Sequence, residues 1–251
     1  MNYESRTIEY KNSATNYTTC IFHQVMMKDF SQFRDLIDIN LVQIVEGESD
    51  YVLRTIKKNL DLFLSTKTEK QKRGAVAELL AHVFLRQIGF TQECIFNNLE
   101  EGSLKKGFDG LYLNSELFWL VEIKSTYTQG VIHRDRLKSA ISDLNDKIEG
   151  RTTNNPFRNA VHHVKAVREK YNLNLLKVIR KLSKDYSEGI FYSLSDFNII
   201  PISTLYVEHR QSIDDIAADI SKLLTGSDFK DILAICIDNN IFQDFISYLK
   251  E

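Results

Sequence analysis

The chain reads as an α/β protein, a mixed central β-sheet flanked by helices. Three observations predict this class. Short apolar runs of strand length alternate with segments whose apolar residues recur at helical spacing. One run, LFWLVEIKS at residues 117–125, is apolar on both faces, as in a strand covered from two sides. The composition is that of an ordinary globular chain: 251 residues, 43% hydrophobic, 26% charged, with only two prolines and ten glycines, too few for long disordered tracts.

Taken in order, the first 45 residues mix β-like pieces at Thr7–Tyr10 and Thr18–His23 with a short helical pattern from Phe30 to Ile37. Leu53, Ile56, Leu60 and Phe63 share a helical face, with Ser49 or Asp50 placed to cap it. Thr68 and Gln71 form a capping box ahead of GAVAELLAHVFLRQI, apolar around most of its circumference, and Gly89 stands where that helix would end. A short strand near Cys94–Phe96 and a polar loop through Glu100–Lys106 follow. Two apolar strands, Phe108–Leu113 and Leu117–Ser125, are joined by a turn at Asn114-Ser115-Glu116. His133–Ile148 reads as a helix with Leu137, Ile141, Leu144 and Ile148 on one side, and Asn155-Pro156 starts a long basic helical stretch to about Ser183. The remainder adds a strand (Ile199–Val207), a helix (Ile213–Leu224), a strand (Ile232–Ile237) and a last helix. No internal repeat or low-complexity tract interrupts the order.

Composition also narrows the function classes. No run approaches the ~20 apolar residues needed to cross a membrane, and the opening MNYESRTIEYKNS has no signal-like apolar core. Cys20, Cys94 and Cys236 are too scattered for a disulfide framework or a metal knuckle, so a reducing, cytoplasmic setting is expected. Net charge is −2, but it is unevenly spread. Residues 131–185 carry 13 bases against 6 acids, a net of +7, and residues 186–251 carry 4 bases against 11 acids, a net of −7. Such asymmetry gives a basic face to a neutral protein, although each of these residues reads equally well as part of a solvated helix face.

The residues that carry chemistry are Asp109, Glu122 and Lys124. Alternation along the strand puts Glu122 and Lys124 on one face with Phe118 and Leu120, while Trp119, Val121 and Ile123 take the other. A carboxylate and an ammonium are expensive in such a strand unless paired. With a hairpin loop of two or four residues, Asp109 falls on the same face, opposite Glu122 or Leu120; a three-residue loop would put it on the other face. Two carboxylates that close make a hard oxygen site suited to Mg²⁺. The competing reading is a structural ion pair on a sheet.

This pattern, FDG followed by VEIK on the neighbouring strand of a hairpin, resembles the PD-(D/E)xK, or restriction-endonuclease-like, superfamily, with Phe108 in place of its proline. The resemblance covers roughly residues 71–150 and implies a restriction-endonuclease-like core. It implies that Asp109 and Glu122 hold Mg²⁺ (with Mn²⁺ able to substitute), that the Ile123 carbonyl assists, and that Lys124 orients or deprotonates the attacking water and neutralises the phosphate. Glu78 in GAVAELL matches the superfamily's additional helical glutamate. It also fits a plain polar stripe with His82 and Arg86 at i+4 spacing. The domain division that follows is an N-terminal accessory segment, 1–70, and a nuclease-like domain, 71–251, with helical and C-terminal α/β elaborations.

Other candidates concern nucleic acid. Gln129 lies where many superfamily members place a polar residue near the scissile phosphate, and it reads equally as a surface loop residue. His133 and Arg134 open the next helix within reach of DNA. Arg158, Lys165 and Arg168 would track phosphates without choosing sequence. His162 and His163 point about 100° apart on a helix and do not share one ion easily.

Within the superfamily, the succession GAVAELLAH, KKGFDGLY, LFWLVEIKST, a Ser/Ala/Leu helix and an Asn-Pro loop is similar to the HamA family, the small nucleases of bacterial Hachiman antiphage defence. That resemblance implies a sequence-nonspecific DNase acting on DNA and restrained by a superfamily 2 helicase partner. The alternatives are a stand-alone restriction or junction-resolving enzyme, and a catalytically inactive DNA-binding or scaffold subunit.

Overall fold

The computed structural model describes residues 3–96, 107–206 and 211–251. The elements run β1 (Tyr3–Lys11), β2 (Tyr17–Met27), α1 (Ser31–Glu46), α2 (Leu53–Ser65), α3 (Glu69–Gln87) and β3 (Thr91–Gln92). They continue with β4 (Gly110–Asn114), β5 (Leu117–Thr126), α4 (His133–Ile148), α5 (Pro156–Ala166) and α6 (Leu173–Ser187), then β6 (Asn198–Leu205), α7 (Ile213–Leu224), β7 (Asp231–Asn239) and α8 (Phe242–Leu249). The strands form one seven-stranded sheet in the order β1-β2-β7-β6-β5-β4-β3. Its middle is parallel (β2/β7, β7/β6, β6/β5), and antiparallel hairpins close both ends, so the sheet is mixed.

Each face of the sheet is covered by helices. Side chains of α1, α2, α3 and α8 form one core with Val121, Ile123, Ile202 and Ile235. Those of α4 through α7 form the other with Leu120, Ile199, Ala234 and Cys236. This is why β5 through β7 are apolar on both sides. Pro201 sits in the central strand β6, and the β6–β7 register skips Ile200 and Pro201, because proline has no N–H to give the ladder. The N-terminal residues expected as an accessory segment supply β1 and β2 to this sheet, and α1 and α2 to the first core.

Several local expectations hold to the residue. Thr68 and Gln71 make the reciprocal capping box of α3, Gly89 follows that helix with φ +91°, and α4 and α7 have the expected bounds. Others need correction. The strand expected at Cys94–Phe96 is instead Thr91–Gln92. Cys94 follows it, its Sγ accepting the Leu111 N–H, and Phe96 donates its N–H to Ile44 of α1. The cap of α2 is Val52, without a side-chain hydrogen bond. The long basic helix is two, α5 and α6, because Val167 is buried, its carbonyl accepts from Glu48, and Asn172 caps a new start by accepting from Leu175. The polar loop at Glu100–Lys106 lies outside the described residues.

Candidate functional site

The hairpin β4–β5 brings the acidic residues together. Asn114 pairs with Leu117, so the connection is the two-residue turn Ser115-Glu116, with φ of +47° and +68° as a type I′ turn requires. The even loop keeps the faces in phase. Gly110 opposes Val121, and Asp109, one residue before β4, stands level with Glu122. Because β4 begins at Gly110, among the described residues no strand pairs with the β4-side edge of β5 beyond Val121. Asp109 takes part of that edge itself, its Oδ2 accepting the Ile123 N–H at 2.8 Å. The N–H and C=O of one strand residue point to the same side, so the Ile123 carbonyl faces the same gap.

Helices wall the gap on both sides. A cavity of about 820 Å³ is lined by Glu78 of α3, by Asp109, Glu122 and Lys124, and by Asp143 and Lys147 of α4. Glu122 is only 2% exposed. Its two oxygens are divided between cations: Oε1 lies 2.9 Å from Lys124 Nζ, and Oε2 is ion-paired with Lys147. Lys124 also reaches Asp143 Oδ2 at 2.5 Å. Asp143 and Lys147 sit at i, i+4 on α4, so one helical face supplies an anion to the lysine and a cation to the glutamate.

Two charge shifts describe this cluster. Burial, then Glu122, then Glu78 raise the Asp109 carboxyl well above the usual carboxylate range, against the opposing pull of Lys147 and the Ile123 N–H. Burial works against the Lys124 ammonium, but Glu122 and Asp143 more than offset it and hold it above its ordinary pKa. Asp109 is therefore short of positive charge, and Lys124 stays an ammonium. Among the described residues, no three His, Cys, Asp or Glu side chains form a closed metal cage; the carboxylates line an open pocket shared with Lys67, Lys124 and Lys147.

The remaining expected residues are placed as follows. Gln129 is exposed in the turn after β5. Arg134 is partly exposed and lies 3.7 Å from Asp219. Arg158 and Lys165 are exposed on α5. His133 is buried, with its ring nitrogens on Ser203 Oγ at 2.8 Å and Asp238 Oδ1 at 3.1 Å, so it holds α4 to the ends of β6 and β7 rather than meeting solvent. Arg168 is committed inward, donating to Glu93 Oε1 at 2.8 Å and to the Gln92 carbonyl at 3.0 Å. Of the helical stripe, Glu78 lines the cavity, His82 is buried against the Tyr112 hydroxyl, and Arg86 reaches Asn40 and Gln43 of α1.

Asp143 and Lys147 were missed by the sequence reading. The available signal was positional: Lys147 falls beside the buried Leu144 and Ile148 on the α4 wheel, an arc in which a charge needs a partner.

Fold and site together define an α/β protein with a mixed seven-stranded sheet covered by helices on both faces and an acid-and-lysine cleft at the open edge of its β4–β5 hairpin. The chain belongs to the HamA family, whose model matches residues 3–250. It is thereby a component of Hachiman antiviral defence. No curated protein matches it. Among the described residues no helix is long and apolar enough to cross a membrane.

Proposed function

We propose that this chain is the nuclease of its defence system, a divalent-metal-dependent endonuclease that hydrolyses DNA phosphodiesters without sequence choice and is held in check by a superfamily 2 helicase subunit. The observation that carries the chemistry is Asp109 level with Glu122 across the hairpin, with Lys124 in the same cavity. The helicase rests on family membership.

The donor set fits a hard divalent cation. Asp109 and Glu122 offer carboxylate oxygens, the Ile123 carbonyl faces the same gap, and the crowding of Asp109 by Glu122 and Glu78 is the repulsion that a cation relieves. Mg²⁺, or Mn²⁺ in its place, would be held by Asp109, Glu122 and Ile123, with Glu78 on the adjoining wall. Such an ion supplies Lewis-acid stabilisation of phosphate charge and a more acidic water. Lys124 then acts as a fixed ammonium that donates to a non-bridging oxygen and offsets the charge of the transition state. Asp109 ties the site to the β5 backbone through Ile123, which keeps the carboxylate aimed.

Purified protein with supercoiled plasmid and Mg²⁺, alone and with its helicase partner, tests the reading. We expect nicks and then a smear, and a loss of roughly a hundredfold or more in Glu122→Gln and Lys124→Ala. Folded variants that cut as fast as the parent would remove the site assignment.

A further inference from the structure

A second basin opens past Lys124, on the side away from Glu122. Its volume is about 780 Å³, and it shares Lys124 and Gln71 with the acidic cavity, so the two form one trough. Lys70, Arg73 and Arg136 join Lys124 in lining it, and among the described residues no carboxylate does. Arg73 is already compensated, 2.9 Å from Glu69 and stacked over Phe242 at 4.4 Å. Arg136 and Lys70 are not. Among the described residues neither forms an ion pair, and the Arg136 Nε is buried without a hydrogen-bond partner. Arg136 lines the basin without a carboxylate partner among the described residues, and a phosphate oxygen is the acceptor that suits the terminal N–H groups of such a guanidinium.

The trough has a direction. Lys147 meets Glu122 and Asp143 meets Lys124, so α4 runs antiparallel to β5. Arg136, two turns before Asp143, therefore comes to the end of β5 and the turn after it, beside Ser125 and Thr128. Strand alternation aims the Ser125 N–H to the same side as that of Ile123, toward the trough. From Lys147 to Arg136 the helix rises roughly 16 Å, which spaces cations along a chain of phosphates.

We propose that this basin binds the phosphodiester adjacent to the one cut, with Arg136 and Lys70 as its ligands, so that the DNA strand lies along α4 from Lys147 past Lys124 to Arg136. The proposal rests on the nuclease reading above and adds the path of the substrate. Its contacts are to backbone phosphate, which agrees with cutting without sequence choice.

The test is binding of a short fluorescent DNA duplex to the full chain, in EDTA and again in Ca²⁺, across a salt series. Arg136→Ala and Lys70→Ala should each weaken binding about eightfold at ~0.1 M salt and lower the slope of log affinity against log salt by about 0.9, the share of one released counterion. Arg136→Lys should recover most of the loss, and unchanged melting temperatures would show that the variants fold. If the parent binds and cuts DNA while both folded variants bind as the parent does, the trough assignment is overturned and the nuclease reading stands. A parent that neither binds nor cuts DNA overturns both.

Discussion

Lys147, in the last turn of α4, puts its ammonium on one oxygen of Glu122 while Lys124 holds the other at 2.9 Å. The two residues are 25 positions apart and meet only because α4 lies antiparallel along β5. Glu122 is almost fully buried, and a buried carboxylate is tolerable only when compensated. The lysines thus stabilise the acidic site from within the protein.

Removing one of them should therefore cost stability and sharpen the response to metal. For Lys147→Met we expect a loss of about 2–3 kcal/mol in metal-free buffer, because Glu122 keeps Lys124. We also expect Mg²⁺ to raise the melting temperature more in the variant than in the parent. Equal metal-induced shifts in calorimetry would show that Lys147 does not compete for Glu122.

Glu93 governs a pH dependence away from the site. Its side chain is fully buried, and burial lifts the carboxyl from 4.5 to about 7 despite Arg168 beside it. The folded state then binds the proton more tightly than the unfolded chain does. This contribution to stability is complete below about 4.5 and is lost as pH rises toward 7. Glu93→Gln, which still offers an oxygen to Arg168, should flatten that window and gain up to about 3 kcal/mol at pH 8. Denaturant midpoints that fall equally with pH in both proteins would contradict it.

The burial of His133 gives it a stability role. His133→Ala leaves Ser203 and Asp238 without their shared partner, at an expected cost of about 2–3 kcal/mol. DNA affinity of the folded variant should equal that of the parent. A variant that melts normally but binds DNA weakly would restore His133 to the interface.

The hairpin turn carries strain that can be relieved. Glu116 is exposed at φ +68°, where glycine is free of the Cβ clash. Glu116→Gly should raise stability by about 0.5–1 kcal/mol without changing cleavage, since the two-residue register is kept. Lost cleavage in a stabilised variant would mean that the turn acts on the site in some other way.

The short-range features were legible in the sequence. The capping box at Thr68, the bounds of α4 and α7, and the pairing of Asp109 with the Glu122–Lys124 strand all lie within about one element and its neighbour, where backbone period and side-chain alternation decide the outcome. Even there the loop length had to be resolved, because one residue more in the turn would have turned Asp109 to the other face. What the tertiary structure decided is every partner drawn from far along the chain. It seated β2 beside β7, turned His133 and Arg168 inward, split the basic helix at Val167, and set Asp143 and Lys147 over the acidic pair. A helix's own period tells which residues share a face. Which buried charge that face will meet depends on how two helices and a strand edge pack, and that is a property of the whole sheet.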